Sequence, residues 1–418
     1  MEIHTLTLDF LIPILRGKEM SVELRPLGVN CNISCQYCYQ NPQRDAGNLT
    51  KHYDLEKMKA AVEQEGGSFT LFGGEPLLLP EDDLEHLWAW GLEKYGSNGM
   101  QTNGTLINDN HIRMFKQYKV MVGISIDGPG DLNDVRWAGS IEKTREQTSK
   151  IEAIIKRLLN EGIVPSLIVT LHRNNATPDK LPLMHDWFRG LDQMGIQSVR
   201  LHILEVESPE VQSKYALTQT ENIQALLSFA ELEKELKTMT LDVFRDMENI
   251  LLSTDDYTTC IWRGCDPYTT SAVRGVEGKG QRSNCGRTNK DGIDFVKADS
   301  AGYERYIALY QTPQEYGGCK DCRFFLMCKG QCPGTAIDGD WRNKTEHCQV
   351  WMQLFEHLEQ RLKQQDKTPI SLDPNLHYLE ENMLSAWQAG INPSLNEKLN
   401  EMRAVYTAQK QQQPLAHT

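Results

Sequence analysis

Between residues 21 and 206 short apolar runs alternate with longer amphipathic stretches, and that alternation leaves few folds open. The strand-like runs fall at 21–26, 68–72, 99–102, 120–126, 164–171 and 199–206. Most are continuous in apolar residues, as expected of parallel strands covered on both faces. Helix-like stretches lie between them, at 53–64, 84–94, 144–160 and 179–194. Thr177-Pro178 reads as an N-cap followed by proline at the first helical position, and Thr218 with Glu221 as a capping box. Six βα units in succession predict an α/β fold with a parallel sheet and right-handed crossovers. Six are too few to close an eight-stranded barrel, so the expected architecture is a partial, TIM-like (β/α)6 barrel.

The chain has 418 residues, enough for two or three domains, with 39% hydrophobic and 24% charged residues. No apolar run reaches the length of a membrane span. The N-terminal segment has no basic region before its apolar run and no cleavage site after it, so it reads as a strand or extension and not a signal peptide. A net charge of −13 argues against a nucleic-acid groove, which needs dense Lys and Arg. A cytoplasmic protein is expected. Near Leu251 the texture changes to Gly, Cys and polar residues, which cannot build a large core without staples. The expected divisions are an N-terminal extension (1–20), the barrel (21–250), a Cys-rich extension (251–355) and a C-terminal helical extension (356–418) with a frayed tail from residue 411.

Eleven cysteines without a secretion signal favour metal or cluster ligation over disulfides. Three stand together in Cys31-Asn-Ile-Ser-Cys35-Gln-Tyr-Cys38. At this spacing three thiolates hold three irons of a four-iron cube and leave the fourth open for a ligand. The other eight are Cys260, Cys265, Cys285, the run Cys319-x2-Cys322-x5-Cys328-x3-Cys332, and Cys348. Zinc knuckles or ribbons are the competing reading, since zinc favours closed CxxC pairs. Loops at the carboxyl ends of parallel strands build active sites. The unusual loops here stand at such ends: the cysteine loop after the first strand, Gly73-Gly74-Glu75-Pro76 after the second, Gln101-Thr102-Asn103-Gly104 at the third and Ser125-Ile126-Asp127-Gly128-Pro129 at the fourth.

These motifs resemble the radical S-adenosylmethionine (SAM) enzymes. The resemblance implies that Cys31, Cys35 and Cys38 hold a [4Fe-4S] cluster whose free iron is chelated by SAM. Tyr37 matches the aromatic beside the adenine. Gly73, Gly74, Glu75 and Pro76 match the segment that receives the SAM ammonium, with Glu75 as its carboxylate. Asn103 and Ser125 match ribose or carboxylate contacts, and Arg136 the base that pairs with the SAM carboxylate. Asp127 is open to two readings, a cofactor-side contact or a turn residue capping its own backbone. The later cysteines resemble the SPASM extension of peptide-modifying members. That resemblance implies two auxiliary [4Fe-4S] clusters, one on Cys260, Cys265, Cys285 and Cys332, the other on Cys319, Cys322, Cys328 and Cys348. Three, four and four account for all eleven cysteines.

The implied activity is one-electron cleavage of SAM, driven by a donor such as ferredoxin or flavodoxin, followed by hydrogen abstraction from a precursor peptide. Three outcomes stay open: formylglycine formation as in sulfatase maturation, thioether or carbon–carbon crosslinking, and backbone excision of tyramine at a Tyr-Gly site. The segment 38–46, Cys-Tyr-Gln-Asn-Pro-Gln-Arg-Asp-Ala, with the SPASM end, resembles cyanobacterial maturases, among them those of the excising (splicease) kind. In sulfatase maturases the base is an Asp directly after a SPASM cysteine, whereas Cys285 is followed by Gly286. A separate small partner is expected to supply leader recognition. A bare electron-transfer module is the alternative outside enzymes, disfavoured by amino-acid-binding loops that a carrier does not need. Candidate substrate contacts are His172, Arg173, His202 and Glu205, with ordinary rim or salt-bridge roles as the competing reading. Trp262 and Tyr268 are placed to shield a cluster. No residue is assigned as acid or base.

Overall fold

The structure, a computed structural model, describes residues 22–45, 52–206, 208–263, 265–269, 273–289 and 302–412. The expected extension 1–20 and residues 413–418 of the expected tail lie outside them. Six parallel strands follow one another: β1 (Val22–Arg25), β2 (Phe69–Leu71), β3 (Asn98–Thr102), β4 (Val120–Ser125), β5 (Ser166–Leu171) and β6 (Ser198–Ile203). Each overlaps one of the expected runs and pairs in parallel with its predecessor.

The sheet is larger than the sequence suggests. β7 (Thr240–Leu241) lengthens it beyond β6. On the other side β8 (Gly275–Glu277) pairs in parallel with β1, and β9 (Arg282–Ser283) pairs antiparallel with β8. The order is β7-β6-β5-β4-β3-β2-β1-β8-β9, an open sheet with β7 and β9 at its edges. Part of the Cys-rich region is thus continuous with the barrel. Pairing between residues 23 and 275 is long-range, and no local periodicity announces it.

The strands are not covered by apolar packing on both faces. In β5, Leu167, Val169 and Leu171 are fully buried, while Ile168 and Thr170 border a cavity. In β6, Val199, Leu201 and Ile203 are buried, while Arg200 and His202 border the same cavity. This is a period of two: the outer face packs on helices and the concave face stays polar. On the outer side the helix Ile141–Asn160 buries Thr144, Thr148, Ile151, Ile155 and Leu158, one helical stripe. The Thr218–Glu221 capping box forms as expected. Thr177-Pro178 does not start its helix, which runs Leu181–Met194. Thr177 instead heads a turn, its carbonyl accepting the amides of Lys180 and Leu181 at 2.8 and 3.1 Å.

The C-terminal half adds the helices Cys348–Gln364, Leu376–Gln388 and Leu395–Gln412. The first crosses residue 355, where the expected Cys-rich extension ends. It packs on the helices Gln219–Glu233 and Asp242–Leu251, where Arg361 pairs with Glu248 at 2.7 Å and Glu233 at 3.2 Å. Gln411 and Gln412 belong to the last helix and not to a frayed tail. Among the described residues no helix is long and apolar enough to cross a membrane.

One side chain ties β1 to the Cys-rich region. Arg25 is 2% exposed and donates to Ser283 Oγ and the Asn284 carbonyl, each at 2.6 Å. It also pairs with Glu277 at 2.5 Å. Removing one member of a buried charge network strands its partners without compensation. Arg25→Met is expected to cost about 3 kcal/mol, read as a lower denaturant midpoint of the anaerobic protein. A midpoint equal to wild type contradicts this role.

Candidate functional site

The loop after β1 carries Cys31, Cys35 and Cys38, and the glycine pair after β2 clamps it. Gly74 N donates to Gly28 O at 2.9 Å, and Glu75 N to Asn30 O at 2.7 Å. A Cβ at Gly74 would lie 1.9 Å from Asn30 O, and one at Gly73 (φ +118°) would lie 2.4 Å from Gly28 O. Only glycine lets the two backbones approach so closely. Glu75 is 1% exposed and accepts from Leu77 N, Thr102 Oγ1 and Asn103 N at 3.0, 2.7 and 2.8 Å. Burial still leaves its carboxyl above the usual value despite those donors. It ties the β2 loop to the β3 loop, and neither it nor Pro76 is among the residues lining the cavity. Asn103 Nδ2 donates to Asn32 Oδ1 at 2.8 Å and lies 3.7 Å from Cys31 Sγ.

A cavity of about 280 Å³ opens on the concave face. The three loop cysteines line it, with Tyr37, Gly73, Gly74, Asn103, Ser125 and Arg136. So do Cys260, Cys265, Cys285 and Cys332. Cys319, Cys322, Cys328 and Cys348 surround a second, smaller cavity walled by Phe324, Trp351 and Phe355. The Cys328–Cys332 segment serves both groups because its backbone curls. Lys329, Gly330 and Gln331 are successively left-handed, with φ of 51°, 72° and 57°. Buried Arg305 holds the curl by donating to the carbonyls of Trp341 and Asn343 at 2.7 and 3.0 Å and of Lys329 and Gln331 at 3.3 Å.

All eleven cysteines are free. Burial pushes the Cys35 and Cys319 thiols up to about 12 and raises those of Cys31, Cys260, Cys285, Cys322, Cys328 and Cys348. Thiols so placed become thiolates when a metal replaces the proton. Among the described residues no three Cys, His, Asp or Glu side chains converge as a single metal ion would require.

Asp127 is fully buried and gathers the polar groups beneath the cysteine loop. Tyr37 OH donates to it at 2.5 Å, and Thr170 N at 3.0 Å. His172 Nε2 lies at 3.5 Å and Arg136 Nη1 at 3.9 Å. Burial alone would raise its carboxyl, but Arg136 and His172 outweigh burial and hold it below the usual range. Asp127 is therefore a support for Tyr37 and Arg136, not a turn residue and not part of the cavity lining. Ser125 accepts from Gln101 Nε2 at 2.9 Å.

His172 is fully buried against Asp127, and Arg173 turns outward to the Ser213 carbonyl, so neither lines the cavity. His202 and Glu205 do line it. Both meet Arg287, which pairs with Glu205 and lies 3.0 Å from His202 Nδ1. Trp262 packs edge-on to Trp351 and Phe355, ring centroids 5.3 and 5.6 Å away, and those two rings wall the second cysteine group. Tyr268 packs on Trp341 and lines neither cavity. Arg44 escaped sequence reasoning: its Nη2 lies 2.8 Å from Cys38 Sγ.

Residues 26–181 match the family model described as the Radical SAM superfamily. The chain contains a radical SAM domain. Similarity extends beyond that domain. The chain is 23% identical to the serine-type anaerobic sulfatase-maturating enzyme of Bacteroides thetaiotaomicron, over 82% of this chain and 90% of that protein. It is 24% identical to the cysteine-type enzyme of Clostridium perfringens (strain 13), over 82% and 97%. In fold it resembles native anSMEcpe with bound AdoMet and the Cp18Cys peptide (TM-score 0.63, 19% identity, 82% of this chain and 98% of that one). It also resembles Streptococcus suis SuiB bound to the precursor peptide SuiA (TM-score 0.52, 13% identity, 81% and 78%).

A radical SAM domain implies a [4Fe-4S] cluster and SAM, and Arg44, 2.8 Å from Cys38 Sγ, would bear on that cluster were Cys38 one of its ligands. A hydrogen bond from a cation to a cluster sulfur favours the reduced state. Arg44→Gln is expected to lower the potential of the N-terminal cluster, by about 60 mV for each tenfold change in the one-electron equilibrium. EPR-monitored redox titration measures it, and an unchanged potential contradicts the assignment.

Proposed function

We propose that this chain is a radical SAM maturase of ribosomally made peptides, and that it excises a tyramine unit at a Tyr-Gly site. The observation that carries the reading is the shared cavity: the three-cysteine loop and the group Cys260, Cys265, Cys285 and Cys332 border one space. Cys31, Cys35 and Cys38 would hold the SAM-binding cluster. The groups of four, headed by Cys260 and Cys319, would hold two auxiliary clusters suited to electron transfer. When bound to the reduced cluster, SAM supplies a 5′-deoxyadenosyl radical able to abstract hydrogen from carbon.

The protein's part is binding, orientation and exclusion of water. The backbone at Gly73 and Gly74, with Asn103 and Ser125, would hold SAM. Arg136 Nε is buried with no hydrogen-bond partner among the described residues, which suits a carboxylate arriving from the cofactor. Asp127 holds Tyr37 and Arg136 in place through the short bond to the Tyr37 hydroxyl. Glu75 acts from behind, by fixing the β2 and β3 loops, and not by direct contact.

A peptide substrate is supported by the bound peptides in the anSMEcpe and SuiB structures. Formylglycine formation is disfavoured because Gly286 follows Cys285 where sulfatase maturases carry the aspartate base. The resemblance of the segment 38–46 to excising maturases favours excision over crosslinking. A small leader-binding protein and a ferredoxin or flavodoxin would complete the system.

The test is anaerobic co-expression with a precursor containing a Tyr-Gly pair, followed by mass spectrometry. Excision removes about 135 daltons, tyramine less two hydrogens, and crosslinking about 2. A 2-dalton loss sinks the excision reading, and no 5′-deoxyadenosine from reconstituted, reduced protein sinks the radical reading.

A further inference from the structure

Two charged side chains on the cavity wall, Glu23 and Arg200, keep hydrogen-bonding capacity that their structural partners do not take up. Glu23 is the inward residue of β1, between fully buried Val22 and Leu24 that face the helices. Its Oε2 is shielded from solvent and accepts no hydrogen bond among the described residues. Arg25 Nη1 forms an ion pair with it at 3.7 Å, beyond hydrogen-bond reach, while Arg25 Nη2 is engaged with Glu277, Ser283 and the Asn284 carbonyl. Arg200 is an inward residue of β6. Its Nε donates to Asp242 at 2.6 Å, yet its side chain is 42% exposed, and its Nη groups have no acceptor among the described residues.

A buried carboxylate oxygen without a donor is costly, and an arginine fork with two idle nitrogens is a ready donor. Glu23 and Arg200 do not pair with each other. Each keeps its own structural partner and leaves an acceptor and a donor facing one space. A peptide backbone presents the complement, an N–H and a C=O within one or two residues.

We infer that Glu23 and Arg200 grip the backbone of the substrate peptide, Glu23 accepting an amide N–H and Arg200 donating to a nearby carbonyl. The inference rests on the peptide-maturase reading above. It assigns backbone recognition to the wall shared with Cys260 and Cys285, which also line the cavity. Such recognition is independent of side-chain identity, so sequence preference must come from elsewhere.

The experiment measures binding of a fluorescein-labelled Tyr-Gly precursor peptide to the reconstituted holoenzyme. It is compared with a series of ester analogues, each replacing one amide N–H by oxygen. Wild type is expected to lose about tenfold in affinity for one ester in the series. Glu23→Leu, which removes the acceptor, is expected to bind the amide peptide about tenfold more weakly and to lose most of that discrimination. Arg200→Lys is expected to weaken all the peptides alike while keeping the amide–ester ratio. If wild type binds every ester as tightly as the amide, or Glu23→Leu keeps the full ratio, the inference is overturned and the peptide reading stands. If wild type binds no peptide at all, both fall together.

Discussion

Everything in the cavity depends on β1 having two partners. One edge pairs with β2, whose glycine loop clamps the Cys31–Cys38 segment. The other edge pairs with β8, which leads through β9 to Cys285. Backbone ladders on both sides of a four-residue strand fix two cysteine groups relative to each other. Arg25 reinforces the second edge where it is shortest, because β9 has only two residues and a weak ladder of its own. Were both groups to hold clusters, a shared strand would keep them at a more constant distance than a flexible linker between domains.

The concave face departs from a packed barrel for the same reason. An open sheet need not fill its interior with apolar layers as a closed barrel does. The inward positions are therefore free to carry Glu23, Ser125, Thr170, Arg200 and His202. Polar side chains are accommodated there in small networks. Asp127 supports Tyr37 and Arg136, Asp242 supports Arg200, and Arg287 supports Glu205 and His202. Each network leaves polar atoms facing a space that a cofactor and a peptide would share.

The strands, the capping box at Thr218 and the radical SAM signature were legible because each is a local pattern. The cysteine groups that the SPASM resemblance implies border two cavities, the first shared by Cys31, Cys35 and Cys38 with the Cys260 group. What stayed hidden is long-range. Nothing near residue 275 announces a partner at residue 23, and nothing in Arg44 points to Cys38. One signal was available and missed: Val22-Glu-Leu-Arg25 and Val199-Arg-Leu-His-Ile203 place charges at every second position of otherwise apolar strands. That alternation marks a polar inner face. Glu75 shows what a motif leaves unsaid: its side chain also braces two loops, accepting from Thr102 and Asn103.

The central claim is that the cysteines divide as three, four and four around cubes of iron. Iron and zinc analysis of anaerobically reconstituted protein tests it most directly, on wild type and on variants with Cys31, Cys35 and Cys38, or Cys319, Cys322, Cys328 and Cys348, changed to alanine. The account predicts about twelve irons per chain for wild type, a loss of about four in each variant, and no stoichiometric zinc. One or two zinc ions per chain with only about four irons, or full iron retention after either replacement, would contradict it.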